Sequence, residues 1–246
     1  MVEELQHSEL SPSQSNKWLY CPAYRRRKAA MQSDDRSSPA AEEGTLAHSF
    51  LEIALNNLKE HGHTGDWEVD CSDDMTDNLN SVIQYILAVY DDMGPDAEIY
   101  AEQKLDYGDQ FGYMELFGTA DVIVLNKNTI YVGDLKYGFG QVGVNGNTQL
   151  LIYLSGAVAK YGPRPYYTIG VLQPRGNNID GPIRKVSVTH TELVEFNVKL
   201  FEGIAKSYSN KPGCVGSHCH NWCQVLPVCE DVANHAITLF KKMEVD

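Results

Sequence analysis

Apolar positions recur at two different periods along this chain, and the change of period divides it. Ser11-Pro12-Ser13 reads as a helix cap before a helix over residues 14–31. Residues 32–39 are polar and serine-rich and read as a loop. Leu46, Phe50, Ile53, Ala54 and Leu58 then return at helical spacing, which predicts a helix over about residues 40–60. Leu79, Val82, Ile83, Ile86, Leu87 and Tyr90 predict another over about residues 74–92. Past residue 96 three β-rich runs follow in succession, over 97–107, 116–126 and 128–138. A helix over 147–162 ends at Gly162-Pro163. Strands over 165–175 and 183–189 come next, then a helix over 192–208 and a last one over about 230–242. Helices, three strands, a helix and further strands predict an α/β fold, a mixed central sheet with helices on its faces.

Within the strands, two acids interrupt the apolar pattern. Asp121 lies in Gly118-Thr119-Ala120-Asp121-Val122-Ile123-Val124, and Asp134 in Val132-Gly133-Asp134-Leu135-Lys136. A buried carboxylate is costly without a partner, and a divalent cation is one such partner. Asp134 and Lys136 are two apart and share a strand face, and a neighbouring strand can bring Asp121 beside them. Two carboxylates and an ammonium at one point suit phosphodiester hydrolysis with Mg2+ or Mn2+. Taken alone, a D-x-K triplet is more often a polar strand end.

The triplet has company. In order, the chain carries Gly44-Thr45-Leu46-Ala47-His48, Gly118-Thr119-Ala120-Asp121, Asp134-Leu135-Lys136 and Gln149-Leu150-Leu151-Ile152-Tyr153. This ordered set resembles the RecB-like branch of the PD-(D/E)XK nucleases, including CRISPR-associated exonucleases and phage-encoded relatives. The resemblance covers roughly Ser11 to Cys229. It implies a restriction-endonuclease-like core and a Mg2+- or Mn2+-dependent deoxyribonuclease, with exonuclease action favoured. It also implies metal ligation by His48, Asp121, Asp134 and the Leu135 carbonyl. Lys136 becomes the catalytic lysine, and Gln149 and Tyr153 line the site and contact DNA. Glu102 is expected only as a supporting residue nearby, and Glu52 as a residue that could pair with His48.

Of six cysteines, four crowd the C-terminal part: Cys214, Cys219, Cys223 and Cys229. Cys21 stands far upstream, and Cys71 lies outside the pattern. Four thiolates suit iron–sulfur or zinc alike, and His218 and His220 beside Cys219 keep zinc open. The resemblance implies a [4Fe–4S] cluster on Cys21, Cys219, Cys223 and Cys229, with a role in holding the chain ends together. Here the first gap among the C-terminal cysteines is longer than usual for these relatives, and Cys214 is extra, so Cys214 could replace Cys219. One domain over residues 1–246 is expected, with a helical part (1–95), a catalytic core (96–190) and C-terminal helices with the cysteine cluster (191–246).

Composition changes this picture in one respect. The net charge is −13, which disfavours long-range attraction to DNA and leaves any contact to a local basic path. Arg25-Arg26-Arg27-Lys28 is the evident basic run, read equally as a DNA contact or a solvated helix face. No secretory signal or membrane-length apolar run stands out, so the expectation is a cytoplasmic protein, in the host cytoplasm if phage-encoded. DNA is the expected partner, with a homo-oligomer or a replication or recombination protein as further partners. Two rival readings stay open: a non-catalytic DNA-binding or recombination scaffold with the same fold, and a zinc-stabilised protein-interaction module.

Overall fold

The structure is a computed structural model that describes residues 8–31, 38–220 and 223–243. Its chain divides into two compact units, one of Arg36–Leu193 and one of Met1–Asp35 with Val194–Asp246.

The larger unit is built on a five-stranded sheet. Its strands are β1 (Glu98–Asp106), β2 (Phe117–Leu125), β3 (Thr129–Leu135), β4 (Tyr166–Leu172) and β5 (Ile183–Val188), in spatial order β1-β2-β3-β4-β5. The β3–β4 pair is parallel and the other pairs are antiparallel, so the sheet is mixed, as the element order predicts. Side chains alternate between two cores. Val122, Val124 and Tyr131 enter one core with residues of two long helices, Pro39–His61 and Asp73–Asp92. Ile123, Leu125, Ile130, Val132, Ile169 and Val171 enter the other with the helix Thr148–Tyr161. In chain order the helices of the molecule are α1 (Ser15–Trp18), α2 (Tyr24–Ala29), α3 (Pro39–His61), α4 (Asp73–Asp92), α5 (Thr148–Tyr161), α6 (His190–Ser207), α7 (Ser217–His220) and α8 (Glu230–Met243).

Local signals set the ends of these helices. Ser38 accepts from the Ala41 amide and Ser72 from the Met75 amide, satisfying amides that the first turns of α3 and α4 leave unpaired. Gly62, at φ 77°, closes α3 in the left-handed conformation. Gly133 and Gly170 are register partners on β3 and β4, and a side chain at Gly170 would collide with the Tyr131 hydroxyl. Two glycines side by side thus make room for a large buried tyrosine.

The smaller unit corrects one expectation. The helix over residues 14–31 is two short helices, α1 and α2, parted at Cys21-Pro22. Proline offers no N–H and disfavours helix at the residue before it, so the chain turns there and leaves Cys21 at the break. Around this turn, Trp18 donates to the Ser11 carbonyl at 2.9 Å, and the Ser207 hydroxyl on α6 donates to the Trp18 carbonyl at 3.1 Å. Gly203 on α6 lies against Leu19, where any Cβ would come within 2.6 Å of its side chain. Of the loop expected over 32–39, residues 32–37 lie outside the described residues. Among the described residues, no helix is long and apolar enough to cross a membrane.

Candidate active site and cysteine site

β3 ends at Leu135, and the acids and bases singled out in the sequence collect around that end. Asp134 is 2% exposed and Asp121 7%. Asp134 Oδ2 lies 2.7 Å from Lys136 Nζ. Gln149, in the first turn of α5, ties the group together. Its Nε2 donates to Asp134 Oδ1 at 2.7 Å and to the Tyr153 hydroxyl at 3.1 Å, while its Oε1 accepts from Lys136 Nζ at 3.0 Å. Gln149 and Tyr153 reach the same group because residues four apart share a helix face. The Asn147 side chain caps that first turn by accepting from Leu150 N.

A second group stands beside the first. His48 Nδ1, on α3, lies 3.2 Å from Asp121 Oδ1 and 3.7 Å from Glu102 Oε1. One ligand atom each from His48, Glu102 and Asp121 falls within 4.8 Å of the others. The other oxygen of Asp121 accepts from the Leu135 amide at 2.5 Å. Leu135 thus presents its N–H to the site through Asp121. Glu102, expected as a supporting residue nearby, stands with Asp121 against His48, at the longer of the two distances. Its backbone is unusual for a strand, with φ 42°. The β1–β2 register passes over it, pairing Ala101 with Val122 and Gln103 with Ala120. A non-glycine residue held in the left-handed region costs of order 1–3 kcal/mol and marks sites where surrounding structure imposes the geometry. His48 turns to these two acids, while Glu52 sits close enough to feel the charge of Glu102.

The electrostatics follow from this crowding. Burial, reinforced by the charge of Asp121, raises the Asp134 pKa to about 6 against the opposing pull of Lys136 and His48. For His48, burial works to lower the pKa, but the hydrogen bonds to Asp121 and Glu102 and the charges of Asp121 and Asp134 outweigh it and hold the pKa at about 10. Burial also opposes the charge on Lys136, yet Asp134 and Asp121 raise its pKa, so it stays an ammonium. Burial and the nearby acids push the Tyr153 phenol up, keeping its proton on. Two carboxylates and an imidazole facing one point, with a third carboxylate and a cation beside them, can take up a hard divalent cation.

A family model described as a protein of unknown function, DUF2800, matches residues 7–246. The chain belongs to the DUF2800 family. Among solved structures, this DUF2800 chain is similar to a "Putative exonuclease" from Eubacterium rectale. The two are 14% identical, with a TM-score of 0.47, over 87% of this chain and 88% of that one. It is also similar to SSO0001, at 16% identity and a TM-score of 0.40, over 94% of this chain and 90% of that one.

The smaller unit of this DUF2800 chain holds the cysteine site. Cys21, Cys214 and His218 place one ligand atom each within 4.8 Å of the others. Cys219 Sγ is 3.5 Å from His218 Nε2. Burial raises the Cys219 pKa, and the neighbouring thiols of Cys223, Cys21 and Cys229 add to the rise. Burial does the same for Cys214, with Cys21 and Cys219 beside it. Among the described residues, the donor atoms that come together are thus those of Cys21, Cys214 and His218, with Cys219 beside His218; Cys223 and Cys229 lie near enough to act on Cys219 through their charge. Cys71 lies in the other unit, packed at the edge of a core.

Three members of the basic run are engaged inside this unit. Arg25 Nε donates to the Ser207 carbonyl at 3.2 Å, its Nη1 pairs with Glu9 at 3.0 Å, and its guanidinium lies over the Tyr208 ring. Arg26 donates to the Ser209 carbonyl at 3.2 Å and the Lys211 carbonyl at 2.5 Å. Arg27 pairs with Asp231 at 2.6 Å and donates to Cys229 Sγ at 3.2 Å. Arg25 and Arg26 complement the C-terminal end of α6, where carbonyls lack helical partners and the helix dipole is negative, whereas Arg27 pairs with the first turn of α8. Neither a bare solvated face nor a free basic path describes them.

Proposed function

We propose that this chain is a Mg2+- or Mn2+-dependent deoxyribonuclease with a PD-(D/E)XK core, acting as an exonuclease on DNA ends. The observation that carries the reading is the Asp134–Lys136–Gln149 group beside His48, Glu102 and Asp121 at the end of β3. The residues fit a divalent metal: Asp134 Oδ2 is buried without a hydrogen bond of good geometry, and the His48, Glu102 and Asp121 ligand atoms are close enough to share one ion. His48, Asp121, Glu102 and Asp134 would hold it, with Leu135 fixing Asp121 from the backbone. Bound there, the ion supplies Lewis-acid charge at the attacked phosphate and acidifies water. Lys136, steadied by Asp134 and Gln149, places a second positive charge where negative charge develops on the phosphate. Gln149 and Tyr153 present polar groups to the strand.

End-labelled and circular DNA incubated with Mg2+, Mn2+ or EDTA tests the reading. Metal-dependent loss of end label with circular DNA spared is the expected result. Asp134→Asn and Lys136→Ala should each lower the rate by about 10²–10³-fold, the scale of losing one transition-state charge. Cleavage that persists in EDTA, or an Asp134→Asn rate equal to the parent's, rejects the assignment. Strand binding without cleavage in any metal would favour the scaffold reading.

The cysteine site is proposed to hold a [4Fe–4S] cluster on Cys21, Cys219, Cys223 and Cys229. The ordered spacing of these cysteines supports it, and Lys17 and Arg27 sit near enough to offset thiolate charge. The close approach of Cys21, Cys214 and His218 favours a second reading, a structural zinc ion. Iron and zinc content of protein purified without oxygen separates the two: brown protein with about four irons per chain, or colourless protein with one zinc.

A further inference from the structure

Phe139 is a large aromatic ring that stands in the open, 68% exposed, three residues beyond Lys136. Glycines flank it on both sides, and a side chain at either would meet nothing within 4 Å. An exposed ring between two glycines would ordinarily sit on a loose loop. Here the backbone is pinned instead. Gln173, fully buried at the end of β4, donates from Nε2 to the Gly138 carbonyl at 2.9 Å and to the Gly140 carbonyl at 2.5 Å. Its Oε1 accepts from Arg184 Nη2 at 2.8 Å and from Asn178 at 3.0 Å. Arg184 also donates to the Val142 carbonyl at 2.8 Å. A buried amide thus clamps the chain immediately before and after Phe139, and a buried guanidinium clamps the amide.

The ring is supported as well as presented. The Arg175 guanidinium lies 4.2 Å from the Phe139 ring centre and 4.8 Å from that of Tyr137. Arg175 is itself fixed by Glu43 at 2.7 Å. The segment following Phe139 continues along the wall of an open cavity of about 460 Å³, where Val142, Val144 and Asn145 face Asn178 and Lys185. That volume falls in the range of about 300–1,000 Å³ typical of small-ligand sites. The carboxyl ends of β3 and β4 anchor this region, the position where α/β sheets collect their ligands.

We infer that Phe139, backed by Arg175, is a stacking platform for an unpaired nucleobase of the DNA strand entering the site. The inference rests on the nuclease reading. Aromatic rings and arginine planes are what single-stranded nucleic acid stacks upon, whatever its sequence. A rigid ring close in sequence to Lys136 would hold a frayed end in place, and the substrate class becomes single-stranded DNA or a duplex end that opens. Gln173 and Arg184 are then positioning residues for the ring.

Binding of a thymidine oligonucleotide, measured in Ca2+ for the parent and for Phe139→Ala, tests this. Loss of one stacked base should weaken binding about 5- to 150-fold, and Phe139→Trp should retain it. An abasic site walked along the oligonucleotide should weaken the parent at one position, and Phe139→Ala should be insensitive at that position. Equal affinity of parent and Phe139→Ala, with metal-dependent cleavage intact in the parent, overturns the platform and leaves the nuclease reading standing. A parent that neither binds nor cleaves DNA overturns both.

Discussion

The carboxylate site and the cysteine site are built on opposite plans. The first hangs on strand periodicity: Asp134 and Lys136 share a face because they are two apart, and Asp121 reaches them from the adjoining strand. Its charges are neutralised by neighbours within about 3 Å, and its backbone belongs to a sheet with apolar cores on both faces. The second gathers Cys21, at the break between two short helices, with Cys214 and the short helix α7 almost two hundred residues later. No repeating backbone pattern brings them together, and arginines bonded to helix-end carbonyls do that work instead. A site carried by a sheet keeps its shape when empty. A site carried by loop and helix ends would lean on the proposed metal to close it.

That contrast can be broken at its weak end first. If the proposed metal is held there, Cys21→Ser or chelation should lower thermal stability by about 10 °C or more, because a multiply ligated metal is worth several kcal/mol of folding free energy. Cys71→Ser should leave the midpoint within about 2 °C. Calorimetry showing equal losses for the two would mean that the cysteine region closes without a ligand.

The carboxylate site should show itself through pH. His48 keeps its proton to about 10 against an ordinary value of 6.5, and Asp134 to about 6 against 3.8. Both are raised in the folded state, so their contribution is complete below the ordinary values. It fades as pH climbs from about 4 to 6 for Asp134 and from about 6.5 to 10 for His48. In EDTA, the urea midpoint should fall between pH 7 and pH 10, and His48→Gln should remove most of that slope. A parent midpoint that is flat over this range would show that the imidazolium is not held by Asp121 and Glu102.

The smallest effect separates two roles for the basic run. Arg25→Ala and Arg26→Ala should each cost about 0.5–1 kcal/mol of stability, a few degrees at most. The salt dependence of DNA binding should not change, since these guanidiniums face carbonyls and Glu9. A salt slope reduced by nearly one unit per arginine would restore the run as a DNA path.

The sheet and its flanking helices were legible because alternation and the 3.6-residue period are long, repeated signals. The acids were legible because each breaks an apolar strand. Three features escaped. Pro22 breaks the first helix, at a point where the residues around it carry no loop signal beyond the proline itself. Glu102 is expected near the site only in a supporting role, and nothing in its type announces φ 42° or its place against His48. Phe139 reads as a loop aromatic; its importance depends on Gln173, thirty-four residues on, whose side chain grips the backbone around it. Spacing reveals neighbours within one element, and these contacts join elements that lie far apart in the chain.

The two units also differ in how they can form as the chain is made. Residues 36–193 are continuous, so that unit has all its parts once residue 193 has emerged from the ribosome. The other unit is split: Trp18, Arg25 and Arg26 are synthesised first, and the end of α6 that they grip comes 182 to 189 residues later. At about 5–20 residues per second, the N-terminal segment waits on the order of 10–30 s for its partner. The thiols of Cys214, Cys219, Cys223 and Cys229 are made later still, so the cysteine site can be loaded only after residue 229 has emerged.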